Sequence, residues 1–422
     1  MFQSQRAMFI AASCFLMVWV ANSNCPAQKN WPQFMGPYLN GHADSKNLPI
    51  EWSEDKNIVW KTAIHDRGWS SPVIWNNQIW MGTAKEDGKQ FFAVCVDKQS
   101  GKIVHDLLLF EESEPRFCHG MNSYASPTPA IEEGRVYLHF GSYGTACLDS
   151  QTGETIWQRR DLPCNHFRGP GSSPMLYKDL LLIHYDGFDL QYVVALNKRT
   201  GETVWKTDRD VEYGTDDGDV MKAFCTPIVI SINGEEQLIS PTSKAVLAYD
   251  PQTGKELWRV RFPSFSATAR PLFDDGLLYV NTGFGKADLL CIDPTGKGDV
   301  TDSHVKWAAK QSVGSKPSSV LANGLIFVVS DGGVAACIDA KTGEYYWSER
   351  LGGEFSSSLL YADGKVYFCS HEGKTFVIAA AREFKQQAVN ELPGGFMSTP
   401  AVSDDALYLR SKTHLYRVEN KQ

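Results

Sequence analysis

Three stretches of this chain gather side chains that can grip a ligand or move a proton. The first is Arg116-Phe117-Cys118-His119-Gly120-Met121-Asn122, and the second is Pro163-Cys164-Asn165-His166-Phe167-Arg168-Gly169. The third is Tyr213-Gly214-Thr215-Asp216-Asp217-Gly218-Asp219, with Lys222 just beyond it. Arg116, His119, Asn122, Asn165, His166, Arg168 and Lys222 could hold a polar ligand. Asp216, Asp217 and Asp219 could hold a cation, although Asp-Asp-Gly-Asp only weakly matches a calcium loop. The plainer reading makes the aspartates a solvated loop tip and has the two histidines cap loop backbone. Cys118 and Cys164, each with a histidine close by and an arginine near, stay open to three readings: a disulfide between neighbouring loops, a Cys₂His₂-type metal site, or two unlinked thiols.

All three stretches are loops, and what carries them is a repeat. The pattern D-x-x-T-G-x-x-x-W is whole from Asp149 to Trp157, Asp250 to Trp258 and Asp339 to Trp347. Variants run from Asp97 to His105 and Asn197 to Trp205, with a stretched copy from Asp293 through Thr295-Gly296 to Trp307. A period of about fifty residues means stacked supersecondary units. Each unit reads as four short strands with turn chemistry between them, which is a propeller blade. In one copy these are Pro129-Ala130-Ile131, Val136 to Phe140, Ala146-Cys147-Leu148 and Thr155 to Gln158. The motif aspartate can cap backbone amides, its glycine can take positive φ, and the tryptophan should pack on the next blade and use its indole N–H.

Blade starts at Ser71-Pro72, Ser126-Pro127, Ser173-Pro174, Thr226-Pro227, Arg270-Pro271, Lys316-Pro317, Ser356-Ser357 and Thr399-Pro400 predict an all-β, eight-bladed propeller of four-stranded antiparallel blades. The last blade holds only three strands, near Ala401, from Ala406 to Arg410 and from Leu415 to Val418. The N-terminal segment Asn57-Ile58-Val59-Trp60-Lys61 would complete it and close the ring, leaving no long open edge.

These repeats resemble the pyrroloquinoline-quinone (PQQ)-like repeat, whose tryptophan-docking pattern Ala-x-Asp-x-x-Thr-Gly-x-x-x-Trp matches Ala248 to Trp258. The resemblance runs from about Trp31 to Val418 and implies the fold. It implies two kinds of function, because the repeat occurs in quinoprotein dehydrogenases and in non-catalytic scaffolds such as the BamB-type lipoprotein of outer-membrane protein assembly. The dehydrogenases are generally longer and often hold a vicinal disulfide over the quinone; this chain has no Cys-Cys pair.

Composition suits one exported body: 43% hydrophobic residues, 12 Trp and 16 Tyr supply a large β core. A net charge of −8 and no basic run beyond Arg159-Arg160 argue against nucleic acid and anionic membrane surfaces. Arg6, the apolar stretch from Ala7 to Ala21 and Cys25-Pro26-Ala27 read as a signal peptide over 1–27, ahead of one propeller domain over 28–422. Asn22-Ser23-Asn24 makes a poor lipobox before Cys25, so soluble export to the periplasm, envelope or exterior is expected. Cys95, Cys147, Cys291 and Cys337 all stand two residues before the motif Asp and should be small buried residues.

The long connections share one face, so the expected site lies on the loops entering blades two, three and four. Lys85, Tyr143, Asp186, Lys244, Lys286 and His371 would complete its rim. The expected function is a non-catalytic scaffold, a monomer binding protein, peptide or glycan on that face, with no resident cofactor. The alternative is a PQQ- or metal-dependent oxidoreductase, or a hydrolase or lyase, using the same loops; no G-x-S-x-G or H-E-x-x-H supports it. A scaffold should expose Phe117, Tyr124, Phe167, Phe188 and Phe265, whereas an enzyme should converge His119, His166 and Arg168 in the central funnel.

Overall fold

Two-residue turns at Asn233-Gly234, Asp275-Gly276, Asn323-Gly324 and Asp363-Gly364 all take positive φ at both positions, the turn whose twist matches paired antiparallel strands. The equivalent turns of the other four units each hold one positive-φ residue, Asn76, Gly134, Lys178 and Asp404, and together these turns fold the chain into the expected ring. The computed structural model describes residues 29–420. Its strands form eight sheets of four antiparallel strands, two of which gain a short parallel fifth strand, with almost no helix. The copy dissected above forms strands Ala130–Glu132, Arg135–His139, Thr145–Asp149 and Thr155–Arg159. The last blade, Ala401–Ser403, Ala406–Arg410 and His414–Glu419, is closed by Ile58–Ala63 lying antiparallel to His414–Glu419.

Because blades stack face to face, middle strands are covered on both sides. Leu180–Asp186 is buried along its whole length, whereas the outer strand Ile58–Ala63 alternates. Apolar clusters accordingly lie between blades. One joins Tyr137, Cys147 and Trp157 of blade two to Leu181, Ile183 and Leu196 of blade three.

The motif tryptophans cross these junctions. The indoles of Trp60, Trp157, Trp307 and Trp347 donate at 3.0 Å to Lys98, Lys198, Lys341 and Ala381, each in the turn of the following blade. Gly201 must be glycine: its φ is +76°, and a Cβ there would lie 2.7 Å from the Trp157 ring. The motif aspartate caps the equivalent turn of its own blade, Asp149 Oδ1 accepting from Gln151 N at 2.8 Å and Thr152 N at 2.9 Å. Cys147, Cys291 and Cys337 pair across the sheet with Trp157, Trp307 and Trp347, so a small side chain faces each indole. Burial pushes all three thiols up to about 12.

Two departures have local causes. In blade one His105 replaces the tryptophan, and its Nε2 still meets the next turn at Gln151 O, 3.1 Å away. In blade five the stretched motif inserts Gly298–Asp299, which adds a parallel strand beside Trp258, and the short helix Thr301–His304. Trp258 therefore donates within its own blade to Gln237 Oε1 at 2.8 Å, and Gln237 Nε2 carries the bond on to Pro294 O at 3.2 Å.

Residues 29–45 lie outside the repeat and form a strap across the short-turn face. Trp31 pairs with Ile74 of blade one, Pro32 O accepts from Ile131 N of blade two, and the side chain of Gln33 accepts from Leu176 N of blade three. His42–Ala43 then runs parallel to Leu360–Ala362 of blade seven. The expected signal peptide and Cys25 lie outside the described residues. Among the described residues no helix is long and apolar enough to cross a membrane.

Candidate functional site

Seven hydroxyls encircle the axis where the inner strands meet. Each accepts a backbone N–H from the preceding blade: Ser71 to Thr128, Thr128 to Ser173 and Ser173 to Thr226 at 2.9 Å. The series resumes with Arg270 to Ser318 at 2.9 Å, continues through Ser358 and Thr399 at 3.1 Å each, and closes from Thr399 to Ser71 at 3.0 Å. Blade five breaks the pattern with Arg270. Its buried guanidinium donates to Pro227 O at 2.8 Å and to the carbonyl of Phe34 in the strap, and burial lowers its pKa. Phe34 thereby stops the channel at the short-turn face.

What remains is a funnel of about 740 Å³ open on the loop-rich face. Ring hydroxyls and Phe34 line its depth; Trp69, Met121, Phe224, Phe265, Phe284 and Met397 supply apolar wall. Of the residues expected from sequence, His119, Asn122, Arg168, Asp217, Asp219 and Lys222 line it. Arg116, Asn165, His166 and Asp216 do not. Arg116 is exposed and donates to Cys164 O at 3.0 Å, while Asn165 caps its own loop by accepting from Phe167 N at 3.1 Å. His166 turns into the wall between blades, where its Nδ1 accepts from Ser142 N at 3.1 Å and burial holds its pKa well below the usual range. The expected meeting of His119, His166 and Arg168 is thus reduced to His119 and Arg168.

The carboxylates do not gather. Arg168, at φ +73°, closes onto Asp219 through both nitrogens, Nε to Oδ1 at 2.5 Å, and that bond holds the Asp219 carboxyl below the usual range. Asp217 caps the short helix Gly218–Met221 by accepting from Asp219 N, while Asp216 points to solvent on the exposed tip. Among the described residues no three His, Cys, Asp or Glu side chains converge for a metal ion.

Of the three readings open for Cys118 and Cys164, the structure has the unlinked thiols. Cys118 and Cys164 are free thiols. Cys164 is committed to the core between blades two and three, while Cys118 packs at the edge of the core between blades one and two. Burial lifts the two thiols to about 12 and about 11 respectively, so both stay protonated at neutral pH.

None of the six rim residues lines the funnel. Lys85 pairs with Asp66 at 2.9 Å, Tyr143 is buried, and Lys244 donates to Pro263 O at 2.6 Å. Lys286 offers its carbonyl to Ser264, and His371 meets Ser356 Oγ at 2.8 Å. Asp186 lies wholly inside, gripped by Arg209 at 2.6 and 2.9 Å, and this buried pair of blade three is bonded to Ser240 and Thr242 of blade four.

Among the aromatic candidates, Phe117 is 54% exposed and meets Phe167 at a tilt, while Phe167 meets Phe188 edge to face, with centroids 5.2 and 5.3 Å apart. Tyr124 is buried instead, because its hydroxyl bonds Arg116 O at 2.6 Å. Phe265 meets Phe284 edge to face, and Phe284 at 58% exposure stands out on the rim. Phe34 and the ring hydroxyls were not legible as site residues, since Ser-Pro and Thr-Pro read only as strand starts.

The residues present do not fit a quinone paired with a metal ion. Among the described residues no carboxylates converge to ligate the metal and no adjacent cysteines stand over the cavity, and Arg168 is already closed onto Asp219.

Comparison with known proteins sets the family. The family model for the outer membrane protein assembly factor BamB matches residues 43–160 and 189–422. The loop carrying Cys164, His166 and Arg168 falls between the matched stretches. In sequence, methanol dehydrogenase (cytochrome c) subunit 1 of Methylobacterium organophilum is 27% identical over 162 residues, 34% of this chain and 24% of that protein. The match therefore spans about a quarter of the relative's length. Among solved structures, BamB from Moraxella catarrhalis superposes with a TM-score of 0.62 at 12% identity, over 86% of this chain and 98% of that one. Quinohemoprotein alcohol dehydrogenase from Comamonas testosteroni superposes with a TM-score of 0.70, also at 12% identity, over 95% and 82%. At such identities the structural likeness speaks for the fold alone. With its repeats matched over most of the ring, the chain belongs to the PQQ-like repeat β-propeller family described as outer membrane protein assembly factor BamB.

Proposed function

We propose that this protein is an exported, non-catalytic propeller that binds a polypeptide partner on its loop-rich face, in the service of outer-membrane protein assembly. One observation carries the reading: the funnel mouth exposes Phe284 at 58% and Met121 at 42%, with Phe117 at 54% nearby. Large apolar side chains presented on a rigid rim are what a protein interface uses as anchors. The charged groups around them, Arg168 with Asp219 and Asp217 on its helix, are satisfied by one another rather than left to act on a substrate. The family's description and the periplasmic or envelope setting it implies support export, and the 1–27 segment would supply it.

The test is site-specific photocrosslinking in the native cell envelope. A photoreactive residue at Phe284 or Met121 is expected to trap a discrete polypeptide, while one at Asp405 on the opposite face traps none. Equal labelling of both faces would overturn the reading. An adduct with the mass of a sugar would make the ligand a glycan stacked on the same rings. The oxidoreductase reading rests on the shared propeller and the cavity. Native mass spectrometry of the protein from its own envelope tests it, since that reading requires a bound quinone or metal.

A further inference from the structure

Lys222 lines the funnel and is 1% exposed, yet its Nζ has no hydrogen-bond partner among the described residues. It lies 4.6 Å over the ring of Phe224, another residue of the wall. The titratable groups that face it are Cys164, Asp186, Cys118 and Asp219, with His166. Each is otherwise committed. Asp186 is held by Arg209 and Asp219 by Arg168; both thiols keep their protons, and burial keeps His166 neutral. An ammonium buried with only a ring beneath it is destabilising until a counter-charge arrives.

The ring hydroxyls supply a second, independent observation. Thr128, Ser173 and Thr226 each use their oxygen to accept a backbone N–H, and among the described residues none donates its own proton. Hydroxyls satisfied as acceptors can still donate. The funnel that these hydroxyls and Lys222 all line is therefore rich in donors. The carboxylates that line the funnel are engaged: Asp219 with Arg168, Asp217 with its helix, and Asp331 with the amide and hydroxyl of Ser315.

We propose that the funnel floor is a recognition site for a carboxylate borne on an apolar body, with Lys222 supplying the charge and the hydroxyls of Thr128, Ser173 and Thr226 the neutral donors. One unpaired ammonium matches one negative charge. A dianion would need a second buried cation; Arg270 behind the ring is spent on carbonyls, and Lys316, which also lines the funnel, is only half-buried and stays hydrated. Phe34, Trp69, Phe265 and Phe284 on the wall select an apolar body. Such a carboxylate could belong to a small acid or to a polypeptide C-terminus. The inference does not depend on a protein partner, since cross-links at Phe284 require no ligand on the floor.

The experiment is calorimetric titration of the full chain with four probes. These are N-acetylphenylalanine, its uncharged amide, and an apolar hexapeptide with either a free or an amidated C-terminus. At least one acid is expected to bind tenfold or more tightly than its amide, with the preference fading above pH 8 as the ammonium loses its proton. Lys222→Met should erase the preference and Lys222→Arg should restore part of it. Binding by both acids points to small acids, and binding by the peptide acid alone points to a chain terminus. Equal binding of acid and amide, no binding by any probe, or a preference that survives in Lys222→Met would overturn the proposal. Should Lys222→Met fail to melt cooperatively, Lys222→Gln takes its place.

Discussion

Lys222 shows how one side chain can be costly to the fold and still be retained. Burial lowers its pKa from 10.5 to about 8. Below pH 8 the ammonium is charged in the folded and unfolded states alike, and the fold bears the full desolvation penalty. Between pH 8 and 10.5 the folded chain has lost the proton while the unfolded chain keeps it, so this residue makes stability rise with pH across that window. Lys222→Met is therefore expected to be more stable than the parent at pH 7, by on the order of 3 kcal/mol, with the gain gone by about pH 10.5. Urea melts at pH 7, 9 and 10.5 check this; a variant less stable at pH 7 would mean that the ammonium has a stabilising partner in the folded protein.

At the scale of the element, the junction between blades is a tryptophan of one sheet seated on the turn of the next. Trp157 gains a hydrogen bond to Lys198 O and a ring contact above Gly201, and Tyr137 packs beside it at 6.2 Å between centroids. Trp157→Phe keeps most of the buried area and loses the bond, for an expected cost of about 1–2 kcal/mol. Gly201→Ala puts a methyl into the ring at a φ that disfavours side chains, and should cost at least ~2 kcal/mol. Chemical denaturation of both variants decides the order. If Gly201→Ala were the milder change, the indole bond rather than the close approach would be holding the junction.

The whole molecule is a ring closed by its own beginning. Ile58–Ala63 covers the edge of His414–Glu419, and the strap over residues 29–45 turns an open channel into a blind funnel through Phe34 and Arg270. Deleting the described chain through Ala63 should leave that edge strand unpaired and drive self-association, seen as concentration-dependent mass in analytical ultracentrifugation. Deleting only residues 29–45 should leave the ring closed and monodisperse while opening the floor. A monodisperse species after the longer deletion would show that the ring does not need its latch.

Much of this architecture was legible because it is local and repeated. The Asn-Gly and Asp-Gly turns, the aspartate cap and the short strands each depend on a few neighbouring residues, so eight blade starts announced eight blades, and the orphan strand at Ile58 fell into its place. The loops had no such repetition. Arg168 finds Asp219 and His166 turns into the wall because of what adjacent loops offer across space, which spacing along the chain does not encode. The same holds for the two thiols, whose neighbours suggested a bridge until packing drew them toward different cores. Nothing in the order of residues showed that Lys222 would be buried without a partner. Desolvation is a property of the surroundings, and those were assembled only when blades from distant parts of the chain met around one axis.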